Sequence, residues 1–235
     1  MKIKQKQIRD IELILKKIFL EYKNQGMLAI YLWGSILTED FNFKSSDIDS
    51  IAIVSDKAKI KDNKNINCFL KKNLDYRDFK LNYLYKNELN GGRIRSRLAR
   101  VIDPRLLLLD FKNWKYVAGK KYSRKNFKLK EISFDEAIKL NLKTIKKKHL
   151  LLLKKGNFNL LQYFVKNLLK INHYLNEKDF GEHKFSYKSL IKFSPEKRKK
   201  VVRILLKMKK SKWDKNLAKK NLPLLIDFIN TLSNL

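Results

Sequence analysis

The 235-residue chain carries 55 Lys and Arg against 23 Asp and Glu, a formal net charge of +32. Apolar residues make up 44% and aromatics 11%, which excludes a disordered polar chain and suits one large domain or two small ones. A lone cysteine, Cys68, excludes a disulfide within the chain, and no apolar run approaches the roughly 20 residues of a membrane span.

Ile8, Ile11, Leu15, Ile18 and Phe19 recur at helical spacing, so residues 5–23 are expected to form an amphipathic helix. Asp10 and Glu12 interrupt its lysines, so the segment does not read as a signal peptide. With the single cysteine, this points to the cytoplasm. Met27 to Trp33 (MLAIYLW) reads as a strand after Gly26, and Ser35 to about Asp40 as a short helix. Asp47 to Val54 is expected as a second strand, residues 62–73 as a helix, and Phe79 to Tyr85 (FKLNYLY) as a third strand. Gly91-Gly92 marks a loop. Arg93, Arg95 and Arg97 follow it and suit either a phosphate clamp or a solvated helix face. Arg93 to Leu109 reads as helical around a break at Pro104.

The second half reads as helices only. Ser133 to Glu136 has capping-box spacing, with a long helix expected to about Lys155. Residues 159–176 form the next, Ser194 and Pro195 open a third through KRKKVVRILLKMKK, and a short apolar helix closes the chain near 222–233. The basic, weakly apolar stretch around 120–132 is the expected boundary.

The chemistry concentrates in WGSILTEDFNFKSSDIDSIAIV, Trp33 to Val54. Gly34 permits a tight turn and close approach of a ligand to the backbone. Ser35 can cap the following helix and offers a hydroxyl, and free amides at a helix start attract phosphate oxygens. Eleven residues later come Asp47 and Asp49. On a strand they point the same way, about 6–7 Å apart, within reach of one hard cation. Carboxylates at the mouth of an apolar strand lose hydration and repel each other, and a cation between them relieves both.

Gly34-Ser35, the eleven-residue interval and Asp47-Ile48-Asp49 leading into an apolar strand resemble the signature of the DNA polymerase beta superfamily of nucleotidyltransferases. FKLNYLYKNEL, WKYVAGKKY and FVKNLLKINHYLNEKDFGEHKFSYKSL extend the likeness toward two-domain members similar to aminoglycoside adenylyltransferases. The resemblance implies an α/β (α+β) nucleotidyltransferase domain with a small mixed sheet at 1–126, then an all-helical domain at 133–235. It implies Mg²⁺, as two ions, held by Asp47 and Asp49. The triphosphate of ATP or another nucleoside triphosphate would sit near Gly34 and Ser35. The reaction would move a nucleoside monophosphate to an acceptor hydroxyl and release pyrophosphate.

The chain departs from the family at the third strand, which normally carries a third carboxylate. Alignment by the strand's ending puts Lys80 there, and a two-residue slip puts Asn82 there. Asp78 lies one pleat upstream on the same face and is the candidate third catalytic carboxylate. Without it, the same fold would be a non-catalytic nucleotide- or RNA-binding protein.

The acceptor stays open between a small molecule, an RNA or tRNA end, and a protein. A cationic surface favours the anionic choices. His149, His173 and His183 have no metal-ligand spacing. Asp103 and Asp110 read as caps or ion-pair partners, or as an acceptor-side base. Glu131, Asp135 and Glu136 suit a helix start. Lys143, Lys146, Lys147, the run Lys197 to Lys200, Arg203, Lys207 and Lys210 form basic helix faces, either solvated or a footprint for nucleic acid.

Overall fold

The computed structural model describes residues 2–38, 41, 46–60, 79–181 and 186–233. The chain divides into two compact units, Met1–Glu131 and Ile132–Leu235.

In the first unit α1 (Lys2–Tyr22) is followed by β1 (Met27–Trp33), β2 (Ile48–Val54), β3 (Phe79–Tyr85), α2 (Arg97–Val101), α3 (Pro104–Leu109) and β4 (Lys115–Gly119). The strands form one mixed sheet in the order β3-β2-β1-β4. β1 runs antiparallel to β2 and β4, while β2 and β3 are parallel. The three strands expected from the sequence are present, and β4 is an addition. Its five residues carry too little pattern to announce a strand, and pairing with β1 is what makes it one. The helix expected over residues 62–73 falls outside the described residues.

Alternation sorts the central strands onto two faces. Ile30, Leu32, Ile48 and Ala52 face the stripe Ile11, Leu15 and Ile18 of α1, all fully or almost fully buried. On the other face Ala29, Tyr31, Ile51, Ile53 and Leu84 pack against Leu98, Leu107, Phe111 and Trp114. Tyr122 and Phe127 are buried in that same cluster, so much of the stretch 120–132 belongs to the first unit's core. Tyr31 is 2% exposed and sits among Phe111, Trp114 and Tyr116 at centroid distances of 5.5–5.9 Å. Its hydroxyl accepts from the Tyr122 N–H at 2.8 Å, tying the segment after β4 to β1. Burial pushes the Tyr31 phenol up, and the Tyr122 bond opposes this only in part.

The second unit is helical among the described residues. Ser133 caps α4 (Phe134–Thr144): its hydroxyl accepts from Glu136 N–H at 3.1 Å, and Glu136 accepts from the Ser133 N–H at 3.0 Å. α4 runs through a π-helical stretch, Ile145–Leu150, into α5 (Leu151–Lys154). Then come α6 (Leu161–Phe180), α7 (Tyr187–Phe193), α8 (Glu196–Lys210) and α9 (Lys215–Leu232). α7 was not expected, being too short for a periodic stripe. Ser186 caps it, and Asn176 of α6 donates to the Leu190 carbonyl within it at 3.2 Å. The closing helix starts earlier than its apolar segment. Asp214 caps it through Asn216 and Leu217 N–H, and Pro223 lies inside it. Pro223 is exposed, so water reaches the carbonyl that its missing N–H leaves unpaired.

Two predictions follow from these cores. Tyr31→Phe leaves the Tyr122 N–H without its acceptor and should cost about 1–2 kcal/mol in urea unfolding with an unchanged slope. His173 on α6 is pushed down to about 4, first by burial and then by Lys170 and Lys209. An unfolded histidine titrates near 6.5, so the unfolded chain binds the extra proton between about 6.5 and 4. The stability this imidazole contributes is complete above that window and is lost as pH falls through it, up to about 3 kcal/mol. His173→Gln should flatten the fall in melting temperature between about pH 7 and pH 4.5. His149, lowered by burial and by Lys148, keeps its own share of that fall.

Candidate active site

The site lies at the mouth of β2, where β1 ends and β3 begins. β1 closes at Trp33, and Gly34 turns the chain with φ 80° into a single 3-10 turn, Gly34–Leu37. That backbone conformation strains any side chain but hydrogen. A Cβ built on Gly34 would lie 3.6 Å from Asp49 Oδ2 and 3.9 Å from the Asp49 Cβ. The bare glycine turn therefore stands against this carboxylate and leaves room beside it.

The helix expected from Ser35 is only this turn. Trp33 occupies the N-cap position with no side-chain cap bond, so Ser35 does not cap it. The Ser35 carbonyl instead accepts from both the Thr38 N–H and the Thr38 hydroxyl, at 2.9 and 2.8 Å. These two bonds hold the turn closed.

Pairing fixes what surrounds Asp49. Across β1 it is opposite Trp33, and across β3 it is beside Lys80. Paired residues share a face, so Trp33, Asp49 and Lys80 form one row across three strands. Asp49 is half-buried and Lys80 exposed. Asp47, also half-buried, stands one residue before the strand begins.

The parallel register sets Asn82 beside Ile51. Two hydrogen bonds reinforce it: Ser50 Oγ donates to the Lys80 carbonyl at 3.1 Å, and Asn82 Nδ2 donates to the Ser50 carbonyl at 3.4 Å. The residue in register with Asp49 is thus a lysine. Asp78 lies outside the described residues. Among the described residues, no group of three His, Cys, Asp or Glu is placed to hold a metal ion.

Other candidates are accounted for locally. Asp103 caps α3, accepting from the Arg105 N–H at 2.9 Å and from its guanidinium at 3.1 and 2.7 Å. Burial would raise this carboxyl, but the Arg105 bonds outweigh burial and hold it below its usual range. A carboxylate so engaged is a poor base. Arg95 lies over the Tyr85 ring at 4.3 Å and donates to the Asp56 carbonyl at 2.9 Å, so it is a brace rather than a phosphate clamp. Glu88, which the sequence reading passed over, is 1% exposed and accepts from three backbone N–H groups: Tyr85 at 2.8 Å, Arg95 at 2.5 Å and Ser96 at 2.6 Å. His183 falls outside the described residues. Trp33 and Trp114, 81 positions apart in sequence, approach to 6.4 Å between ring centroids. The buried Trp114 indole N–H has no partner among the described residues.

No protein-family model matches the chain, and no curated protein matches it by sequence. A solved structure does match: the spectinomycin adenyltransferase AAD(9) from Enterococcus faecialis, crystallised with ATP and spectinomycin. The superposition covers 97% of this chain and 98% of that one, with a TM-score of 0.57 and 15% identity. At that identity the likeness establishes the fold. The mixed four-stranded sheet with its helices, followed by a helical second unit, is the fold of a two-domain adenylyltransferase.

Proposed function

We propose that this chain is a nucleotidyltransferase of the DNA polymerase beta superfamily. It would transfer a nucleoside monophosphate, AMP from ATP in the leading case, to an acceptor oxygen. The observation that carries this reading is the abutment of the Gly34 turn on the Asp49 carboxylate at the mouth of β2. It sets a compact, unobstructed turn beside the acidic group, on a fold that in another protein was solved with ATP.

The residues present fit Mg²⁺, which takes one or two carboxylates and completes its shell with water and substrate phosphates. Asp47 and Asp49 would hold it, and when bound it supplies positive charge to the phosphates and to departing pyrophosphate. The remaining work belongs to the chain. The Gly34–Leu37 turn offers backbone amides to a triphosphate, with no side chain at Gly34 itself. Trp33, whose ring lies 6.4 Å from that of Trp114, stands on one side of Asp49. Lys80, on the other side, offers a cation to phosphate oxygens. The acceptor hydroxyl gives its proton to water as its oxygen bonds to the α-phosphorus, the bond from that phosphorus to the bridging oxygen breaks, and pyrophosphate leaves with that electron pair.

The acceptor is a small molecule by fold and an anionic partner by charge. A chain at +32 repels a polycationic drug and attracts an RNA end. A second reading, a nucleotide-binding protein without catalysis, is favoured by one observation: Lys80 occupies the register position beside Asp49.

Incubation with α-labelled ATP, Mg²⁺ and either total RNA or a small-molecule panel tests the reading. Label in an acceptor together with pyrophosphate release supports transfer. Retained ATP binding with neither signal supports the second reading. Asp49→Asn should lower turnover by at least about 100-fold at unchanged melting temperature, as expected for lost charge stabilisation at the reacting centre. Gly34→Ala, strained by the positive φ of this turn, should raise KM for ATP about tenfold or more, with a smaller effect on kcat.

A further inference from the structure

We propose that α8 and the turn after it form a binding face for single-stranded nucleic acid, independent of the reaction proposed above. Lys197, Lys200, Arg203, Lys207 and Lys210 are all exposed. Their intervals of three and four residues place them along one side of α8, over about 20 Å. That length spans several consecutive phosphates of a single strand. The one acidic residue of α8, Glu196, is turned to Lys199 at 3.5 Å. The nearby Asp179 is paired with Arg198 at 2.7 Å. Among the described residues none of the five cations of the stripe is in an ion pair, and like charges at this spacing repel.

The opposite side of α8 argues against a bilayer as the partner. Val201, Val202, Leu205, Leu206 and Met208 are buried within the second unit. The helix therefore offers a partner charge and no apolar face, whereas a helix that docks on a bilayer needs both.

A second observation lies at the end of the stripe. Lys212 and Trp213 adopt φ of 52° and 71°, the two non-glycine positive values among the described residues. Elsewhere the chain uses glycine for this conformation, as at Gly181 after α6. The Trp213 N–H donates to the Met208 carbonyl at 2.9 Å, and Asp214 then caps α9. The turn thus holds a half-exposed tryptophan one step beyond a row of cations, in a conformation that a bulky residue rarely takes. Cations that track a phosphate chain beside an aromatic that accepts a base are the two parts of a sequence-tolerant single-strand site.

The test is fluorescence polarisation with a labelled 20-nucleotide single-stranded RNA and the full chain, without nucleotide triphosphate, at several salt concentrations. The triple variant Lys200→Gln, Arg203→Gln, Lys207→Gln should bind at least tenfold more weakly and lower the log–log salt slope by about 2. A control triple at exposed positions of the first unit, Lys16→Gln, Lys17→Gln and Lys23→Gln, removes the same charge and should change affinity less than threefold. Trp213→Ala should weaken binding roughly tenfold with an unchanged salt slope. Single-stranded DNA of the same sequence reports whether the ribose hydroxyl is read, and binding of either strand type by the stripe supports the proposal. Equal loss in both triples would reduce the effect to bulk charge and overturn it. So would displacement of the RNA by vesicles with 30% phosphatidylserine at equal charge. Unaltered binding by Trp213→Ala would overturn the stacking half.

Discussion

β2 is enclosed on every side but one. It lies between β1 and β3, with α1 over one face and the aromatic cluster of Tyr31, Phe111 and Trp114 over the other. Every residue from Ser50 to Val54 is buried. A charged group in that interior would lose its hydration with nothing in return. The strand's acidic residues therefore sit at its mouth, where Asp47 and Asp49 stay half in solvent. This enclosure decides where the first unit can conduct polar chemistry. The Gly34 turn, the end of β1 and the start of β3 meet there because β1 runs antiparallel and β3 parallel to β2.

Much of that arrangement is legible in the residues. The apolar run from Ile51 to Val54, the Gly-Ser turn and the paired aspartates are local signals and need only a few neighbours to be read. Ser133 to Glu136 announced its helix because a capping box is written in four residues. The break at Pro104 divides α2 from α3 for the same reason.

What escaped the sequence depends on partners distant along the chain. β4 is a strand because β1 offers it an edge. The residues in and just before β3 leave Lys80, Asn82 and Asp78 open for the place nearest the aspartates, and it takes the parallel register to set Lys80 beside Asp49. Trp114 reaches Trp33 only through the sheet. Ser35 looked like a cap by residue type, yet its carbonyl is what the turn uses. α9 extends through Pro223 because exposure makes the lost hydrogen bond cheap, which composition does not tell.

The Glu88 carboxylate gathers the residues after β3 around itself, while Asn87 and Arg95 fasten that loop to Asp56 beyond the end of β2. The parallel strand pair is thus bolted at its far end, away from the aspartates. Local opening of this pair is therefore expected to begin at the acidic mouth rather than at the pinned end.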